Sequence, residues 1–482
     1  PISGLTVTEA GGSAQFSVVL DSAPTANVTV GLTSSNPREG TLSASSLTFT
    51  TANWNVAQTV TVTGVDDTYI DGNTAFSVLT AAATSTDPAY SGLNPADVSL
   101  INTDNDTVNT LVVDTTSDTS GANDGTTTSI AALMANKGTD GKISLREAIT
   151  AANATANGSG GADRIHFAIS GTGIHTITLG SLLPDIVDAL SIDATTDDSF
   201  TAAGSRPAIV LDGGNIVQDG LRLYPGSGGS TIRGLIIQSF TQDGIDIGSS
   251  SGNTVAGNWI GLNSAGTGAA GNQQGVNIWN ANNNIIGGIT AADRNVLSGN
   301  TGEGVYIGTD NATSTGNQIR GNYIGLNAAG TAAVGNLNLG VLIESGASNT
   351  VGGSSTAYGN VIAGTLNFEG IRLGATASST TVSANVIGLA ADGSTVLGNA
   401  AGGVAIYSAN NTIGGTTAGA RNIISGNASG VIVSGASATG NLIVGNYIGT
   451  DSTGLLDRGN TADGADRRQL HRHRQHRLAR SR

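Results

Sequence analysis

The stretch Asn295-Val-Leu-Ser-Gly-Asn-Thr-Gly-Glu-Gly-Val-Tyr-Ile307 holds the unit from which most of this 482-residue chain is built. It combines a glycine followed by alternating aliphatic residues, Gly304-Val-Tyr-Ile, with a shorter piece of the form Asn-aliphatic-aliphatic. The glycine element recurs every 24 to 36 residues, beginning at Gly220, Gly244, Gly275, Gly304, Gly340, Gly370, Gly403 and Gly430. Internal repetition of this period is typical of solenoids, propellers and repeat arrays.

A longer unit is superposed on these copies. The pieces that begin at Gly257, Gly321, Ala384 and Gly445 share the form x-Asn-x-Ile-Gly and lie 64, 63 and 61 residues apart. Short strands with two inward aliphatic residues each cannot form a core alone, but stacked copies cover one another. Helical patterning, Gly-Gly-x-Gly-x-Asp runs and four-strand blades are absent from the repeat. The sequence therefore predicts a right-handed parallel β-helix over residues 164–464, with left-handed turns at Asn and Gly and stacked asparagine ladders.

Two outward positions in each copy indicate whether the predicted β-helix has side chains suited to catalysis. The residue before the glycine and the residue two places after it are Asp219 and Arg222 in the first copy, and Asp243 and Asp246 in the second. Adjacent carboxylates about 5 Å apart serve retaining glycoside hydrolysis, and with calcium and arginine they serve β-elimination. Further along, both columns change to Leu, Ala, Gly and Ile. The sequence therefore favours a non-catalytic rod and keeps these four residues as the site of an alternative polysaccharide lyase or glycoside hydrolase.

Aromatic residues occupy one position of the longer unit, at Trp259, Tyr323 and Tyr447. Inserted loops follow them, and we expect these loops to stack on the same side of the rod. Aromatic side chains at a strand position are typically packing residues, whereas an open aromatic edge would hold sugar rings. Both interpretations stay open at this stage, and the second predicts glycan binding along the β-helix.

Residues 1–109 have a different pattern, with about seven short alternating runs such as Val28-Thr-Val-Gly-Leu32 separated by turn residues. This spacing predicts a β-sandwich. Carboxylates cluster in its loops, where they either solvate turns or supply some of the six to eight oxygens that calcium takes. The runs Val7-Thr-Glu-Ala-Gly-Gly12, Thr61-Val-Thr-Gly-Val-Asp-Asp67 and Asn102-Thr-Asp-Asn-Asp106 resemble Calx-β domains of bacterial surface proteins. The resemblance implies calcium ligands at the following positions: Glu9, Asp66, Asp67, Asp104 and Asp106.

Residues 110–163 are predicted to form a linker and one short capping helix. Ser144 and Glu147 have the spacing of a capping box, and an apolar stripe follows them. A helix of this kind is expected to cover the open end of a repeat stack. Asp140-Gly-Lys-Ile-Ser-Leu-Arg-Glu-Ala-Ile149 resembles the CSLREA-type motif, with Ile143 in place of the cysteine. We expect Arg146 and Glu147 to form a surface ion pair at the cap.

Residues 164–464 resemble the pectate-lyase-like superfamily, and especially the repeats of CSLREA-containing bacterial surface proteins. The resemblances together imply an all-β chain with an N-terminal sandwich, a capping helix and a right-handed parallel β-helix. They favour a secreted or cell-surface bacterial protein with a structural or adhesive role, which contacts polysaccharide or a host or neighbouring cell surface.

Charge and composition limit the other classes of function. The net charge is −15, and the residues before Arg467 carry 13 basic against 35 acidic side chains, which argues against nucleic-acid binding. The absence of cysteine excludes disulfides, zinc–thiolate sites and thiol catalysis. No apolar run is long enough for membrane insertion. The chain opens on Pro1, so we expect a piece of a longer protein. The basic tail 465–482 leaves the repeat, and we expect it to be disordered or an out-of-frame end.

Overall fold

A computed structural model gives the fold, and it describes residues 3–66, 73–105, 110–119, 121, 123–157, 161–200, 206–309 and 314–460. The chain divides into two compact units, Pro1–Leu111 and Val112–Arg482. Two of the residues with an implied calcium role, Asp67 and Asp106, lie outside the described residues, and so does the tail 465–482.

The first unit is a β-sandwich of two sheets. The three-stranded sheet holds β2 (Ser13–Val18), β4 (Gly40–Leu42) and β6 (Gln58–Gly64). The five-stranded sheet holds β1 (Leu5–Thr8), β3 (Val28–Ser34), β5 (Ser46–Phe49), β7 (Thr74–Thr80) and β8 (Val98–Thr103), in the order β1-β8-β7-β3-β5. The predicted sandwich is therefore confirmed, and β4 is the strand that the sequence pattern did not reveal.

Alternation along these strands builds the sandwich core. In β3, Val28, Val30 and Leu32 are buried while the residues between them are half-buried. Phe16 and Val60 from the smaller sheet join the same apolar cluster. Side chains of alternate residues point to opposite faces of a strand, so each sheet presents one apolar face to the other.

Two short helices precede the repeats: α1 (Ile130–Ala135) and α2 (Leu145–Asn153). The predicted capping box is present, because Ser144 Oγ accepts from Glu147 N–H at 3.2 Å and Ser144 N–H donates to Glu147 Oε2 at 3.0 Å. The apolar face of α2 is buried, and the helix packs on a strand at the N-terminal end of the solenoid (β10, Asp163–Phe167). This placement confirms the predicted capping helix.

One detail of the cap differs from the sequence expectation. Arg146 pairs with Asp118, 2.7 Å from Nη2 to Oδ2, and not with Glu147. Glu147 is buried and accepts from the backbone of Ser144 and Gly125. Adjacent helical residues do not face one another, so a neighbouring pair in sequence is a poor guide to the ion pair.

The second unit is a right-handed parallel β-helix with three sheets. The first sheet has eleven strands: β9 (Thr110–Val113), β10, β12 (Leu190–Asp193), β15 (Thr231–Arg233), β18 (Thr254–Ala256), β21 (Ile285–Gly287), β24 (Gln318–Arg320), β27 (Thr350–Gly352), β30 (Thr381–Ser383), β33 (Thr412–Gly414) and β36 (Leu442–Val444). The second has ten: β11 (His175–Thr178), β13 (Ile209–Asp212), β16 (Leu235–Gln238), β19 (Trp259–Ile260), β22 (Val296–Leu297), β25 (Tyr323–Ile324), β28 (Val361–Ile362), β31 (Val386–Ile387), β34 (Ile423–Ile424) and β37 (Tyr447–Ile448). The third, the front sheet, has eight: β14 (Leu221–Leu223), β17 (Asp243–Gly248), β20 (Gln274–Trp279), β23 (Val305–Gly308), β26 (Val341–Ala347), β29 (Glu369–Ser378), β32 (Gly402–Ile406) and β35 (Val431–Val433).

The repeating aliphatic residues stack along the axis as predicted. In the front sheet, Ile245 pairs in register with Val276, which pairs with Val305, and each of the three is fully buried. Each strand of the front sheet begins one of eight full coils, and these coils correspond to the eight copies in the sequence. Burial of such residues by the coils above and below supplies the core that one coil lacks.

Asparagine ladders run along all three corners of the coil, which confirms the predicted amide stacking. The longest links Asn258, Asn295, Asn322, Asn360, Asn385, Asn422 and Asn446, where N–H and Nδ2 of each residue donate to Oδ1 of the next at 2.9–3.3 Å. The other two corners begin at Asn253 and Asn272. The amide groups of these buried asparagines are thereby paired within the stack.

Candidate active site

The register of the front sheet brings the four residues singled out from the sequence onto neighbouring coils. Arg222 on β14 pairs with Asp246 on β17, which pairs with Asn277 on β20. Asp243, at the start of β17, donates its backbone N–H to Asp219 Oδ1 at 3.0 Å. Asp219 and Asp243 are 6% and 9% exposed. The three carboxylates Asp219, Asp243 and Asp246 therefore share one face of the first two coils, with Asn277 on the third.

Asn277 holds two of these carboxylates together. Its Nδ2 donates to Asp243 Oδ2 at 3.1 Å and to Asp246 Oδ1 at 3.0 Å. Because both bonds start from the same Nδ2 atom, the two acceptor oxygens are at most about 6 Å apart. Tyr224 adds a second hydrogen bond to Asp246, from its hydroxyl to Oδ2 at 2.8 Å.

Arg222 closes the N-terminal side of the cluster. Its guanidinium forms an ion pair with Asp185, and its carbon Cζ lies 5.6 Å from the centre of the Tyr224 ring. Ile186, beside Asp185, forms a parallel bridge to Leu223 and so extends the front sheet by a short edge segment. The arginine is therefore engaged by a residue that lies before the first repeat.

Burial changes the protonation of the cluster. Desolvation, reinforced by the charges of Asp246 and Asp219, raises the pKa of Asp243 to about 8. Desolvation also raises the pKa of Asp219, against the backbone hydrogen bond from Asp243. The pKa of Asp246 is raised by desolvation too, but the Tyr224 hydroxyl favours its charged form. Asp243 is therefore uncharged at neutral pH, and its neighbour Asp246 accepts hydrogen bonds from Tyr224 and Asn277.

An open cleft of about 480 Å³ adjoins the cluster, and its size is within the range of ligand sites. It is lined by Tyr224, Pro225, Asp246, Gly248, Ser249, Asn277 and Trp279. Trp279 is half-buried, and its ring stacks with that of Tyr306 on the next coil, with 6.1 Å between ring centres and 20° between planes. The cleft thus combines an aromatic surface with a carboxylate and an amide.

In the aromatic column identified from the sequence, the first residue, Trp259, is a packing residue. Trp259 is 7% exposed, and a Cβ at Gly266 of the inserted loop would lie 2.7 Å from its Cζ3. Tyr323 and Tyr447 are half-buried, and the guanidinium carbons of Arg294 and Arg421 lie 4.2 and 4.0 Å from their ring centres. The inserted loops therefore fold over this column.

Sequence reasoning missed Trp279, Tyr224 and Asp185. Two of them had a readable signal: Tyr224 and Trp279 stand two places after Arg222 and Asn277, so the alternation of a strand points them outward as well. Asp185 carried no such signal, because it lies in an irregular segment outside the repeat and reaches Arg222 only through the fold.

The implied calcium ligands are arranged around Asn105 in the first unit. Asn105 N–H donates to Glu9 Oε2 at 3.1 Å, and its Nδ2 donates to Asp66 Oδ1 at 3.0 Å. Glu9 is 1% exposed, and Asp104 N–H donates to Asn73 Oδ1. Among the described residues, no three His, Asp or Glu side chains are placed to hold a metal ion. Calcium binding therefore stays a prediction for this unit.

We expect calcium to bind the first unit with millimolar or tighter affinity, because carboxylate oxygens on adjacent loops are hard ligands. Isothermal titration of the chelator-treated chain should give saturable heat, and calcium should raise the unfolding temperature. Glu9→Gln is the matched variant and should remove the heat. No heat at millimolar calcium would eliminate the site.

No protein-family model matches the chain, and no curated protein matches it in sequence. The Calx-β and CSLREA resemblances therefore stay predictions. Among the part of the chain that the structure describes, no helix is long and apolar enough to span a membrane.

Several solved structures are similar to the chain. An alignment with the periplasmic alginate epimerase AlgG spans 60% of this chain and 61% of that one, at 15% identity and a TM-score of 0.34. An alginate lyase from Paenibacillus sp. str. FPU-7 is matched over 59% of this chain and 91% of its own, at 16% identity and a TM-score of 0.26. The catalytic unit of a GH87 α-1,3-glucanase from Streptomyces thermodiastaticus strain HF3-3 is matched over 94% and 90%, at 11% identity and a TM-score of 0.36. The function proposed below rests on the residues of this chain.

Proposed function

We propose that this chain is a glycoside hydrolase that cleaves a polysaccharide on the front sheet of its β-helix. The observation that carries the proposal is the pairing of Asp243, whose pKa burial raises to about 8, with Asp246, whose charged form accepts hydrogen bonds from Tyr224 and Asn277. Glycoside hydrolases commonly cleave the glycosidic bond with a pair of carboxyl groups.

Each carboxyl group has a distinct role in the proposal. Asp243, uncharged at neutral pH, donates its proton to the glycosidic oxygen as the bond to the leaving sugar breaks. Asp246, in its carboxylate form, attacks the anomeric carbon and forms a glycosyl ester. Water then hydrolyses this ester, and Asp243 accepts a proton from that water. Both carboxyl groups thereby return to their starting protonation states. The limit of about 6 Å between the bridged oxygens supports this retaining course, because inverting enzymes separate the two groups by about 6.5–9.5 Å.

Hydrolysis fits the cluster better than β-elimination, the other part of the enzyme alternative. Elimination from a uronate requires a base and a cation that neutralises the sugar carboxylate. The solenoid sequence has no lysine or histidine between His175 and Asn460, and Arg222 is occupied by Asp185. Among the described residues no carboxylate group of three is placed to hold a metal ion.

A non-catalytic adhesive rod is the second candidate, and one observation favours it. Beyond Tyr306 the outward column continues in register through Leu342 to Arg372 and then to Ala405 and Ile432. Most of the later coils therefore have an apolar side chain at this position, which could not act as an acid, a base or a nucleophile.

We place the protein outside the bacterial cell, secreted or on the cell surface, where polysaccharide is encountered.

We expect hydrolysis to have a bell-shaped dependence on pH. Asp243 must carry its proton, so the rate should fall as pH rises through its pKa of about 8. Asp246 must be ionised, so the rate should rise on the acid side at a pH above the usual range of aspartate. The measurement is release of reducing ends from a panel of soluble polysaccharides between pH 4 and 10.

The matched variant for the pH profile is Tyr224→Phe, which removes the hydroxyl that favours charged Asp246. It should move the acid limb to higher pH and leave the alkaline limb in place. Absence of turnover on every polysaccharide, or a rate that stays level to pH 10, would contradict the proposed function.

A further inference from the structure

In a second outward column of the front sheet, next to the carboxylates, one aromatic residue has a glycine on each of the two neighbouring coils. Trp279 pairs in register with Gly248 on the preceding coil and with Gly308 on the following coil. A Cβ at Gly308 would lie 2.8 Å from Trp279 Cζ3, so a side chain there would displace the ring. Gly308 therefore gives the indole the space to lie along the cleft, where it stacks with Tyr306.

The charge of the cleft argues against an anionic occupant. Asp246 lines it, and Asp219 and Glu303 lie on the same part of the front sheet. The two arginines in the outward column of this sheet are each paired, Arg222 with Asp185 and Arg372 with Glu369. A polyuronate would meet like charge here without an available cation, which is unfavourable in a partly desolvated site.

One buried polar atom in the lining of the cleft, the acceptor Asn277 Oδ1, has no hydrogen-bond partner among the described residues. Buried polar atoms in native structures are nearly always satisfied, and a sugar hydroxyl group can donate to this oxygen. An unpaired acceptor beside an aromatic ring matches a hydroxylated sugar ring.

We propose that the cleft binds an uncharged polysaccharide, with one sugar ring stacked on Trp279 and its hydroxyl groups directed to Asp246 and Asn277. The inference rests on the proposed function for its choice of a glycan, and it adds the charge class of the substrate and the subsite that selects it. The apolar face of the sugar packs on the indole, while the carboxylates exclude uronate polymers. Selection is thus a balance of stacking and like-charge repulsion.

The test measures binding, so that it is independent of turnover. The chain has three tryptophans, and Trp54→Phe with Trp259→Phe leaves Trp279 as the only indole reporter. Its fluorescence should change saturably with at least one neutral oligosaccharide from a panel of glucans, mannans and xylans at pH 7. Oligogalacturonate and oligoalginate should bind at least about tenfold more weakly. Trp279→Ala, assayed by affinity electrophoresis, should weaken binding of the neutral ligand by about tenfold or more.

Tyr407 supplies the matched control, because it follows Ala405 as Trp279 follows Asn277, four coils further along. Tyr407→Ala should leave the affinity unchanged. Equal or tighter binding of uronates, no effect of Trp279→Ala, or no binding of any neutral glycan would each overturn the inference. Binding without turnover in the unmodified chain would contradict the proposed hydrolysis and leave this inference standing.

Discussion

Replacement of Asp243 by asparagine should reduce polysaccharide hydrolysis by roughly 100- to 10,000-fold, the usual contribution of a positioned acid. The amide has almost the same shape and keeps an oxygen to accept from Asn277 Nδ2, but it has no proton to give to a leaving sugar. The value of kcat should therefore fall while the affinity for a neutral oligosaccharide is kept. The measurement is the rate of reducing-end release at the pH optimum, with affinity electrophoresis on the same preparation.

The same variant should fold at least as well as the parent, which separates lost chemistry from lost structure. Between the usual aspartate pKa and about 8, folded Asp243 holds a proton that the unfolded chain releases, so its contribution to stability falls as pH rises through that window. Asparagine has no such proton. The variant should therefore gain in unfolding temperature relative to the parent between pH 5 and 8.

Asp392→Asn is the matched control, since Asp392 is a carboxylate of an exposed turn that accepts from Ser394 and Thr395. Its activity should equal that of the parent chain. Retention of more than a tenth of the parental rate by Asp243→Asn would refute the assignment of Asp243 as the acid.

The N-terminal cap supports this site as well as closing the core. Asn153, the last residue of α2, donates Nδ2 to Asp185 O at 2.7 Å and accepts from Val187 N–H at 3.0 Å. These bonds fix the edge segment whose Ile186 bridges to Leu223 and whose Asp185 pairs with Arg222. One helix thus covers the N-terminal end of the solenoid and orients Asp185, the partner of Arg222, so damage to the cap should disturb the candidate site.

The fold could be predicted because one physical requirement, the burial of the aliphatic side chains of a short strand by the neighbouring coils, is repeated eight times. The Gly-aliphatic-x-aliphatic element specifies inward residues by alternation, and the asparagines at the corners specify the turns. The same alternation identified the column of Arg222, Asp246 and Asn277, which the register confirms as neighbours. A position in a regular repeat fixes its neighbours even where the sequence separation is 24 or 31 residues.

The site was less accessible to prediction, because its properties come from groups outside the repeat and from burial. Asp185 reaches Arg222 from an irregular segment, and the pKa of Asp243 depends on desolvation that no spacing reports. The calcium positions depend on loops that the sandwich brings together, and loop conformation carries little periodic signal. Trp279 was missed for a simpler reason, since the column two residues further along the same strand was not considered.

The largest effect on stability is expected for Asn322→Leu in the middle of the longest ladder. Asn322 is fully buried; its Oδ1 accepts from Asn295 N–H and Nδ2, and its Nδ2 donates to Ile286 O and Asn360 Oδ1. Leucine has a similar volume but leaves the Asn295 donors and the Ile286 carbonyl unpaired in the interior. At about 1–3 kcal/mol for each of these three unsatisfied groups, the loss should be roughly 3–9 kcal/mol of unfolding free energy.

Two further substitutions show whether the ladder itself is responsible. Asn446→Leu removes a half-buried end member that accepts from Asn422 but passes no amide bond to a further asparagine among the described residues, so its cost should be clearly smaller. Asn322→Thr should also cost less than leucine, because Thr365 already occupies an equivalent corner and bonds Asn399 Oδ1 through its hydroxyl at 3.0 Å. Denaturant unfolding followed by circular dichroism should therefore rank Asn322→Leu as the least stable of the three. Equal losses at the middle and the end would mean that side-chain volume, and not the continuous chain of amide bonds, holds the corners of the coil.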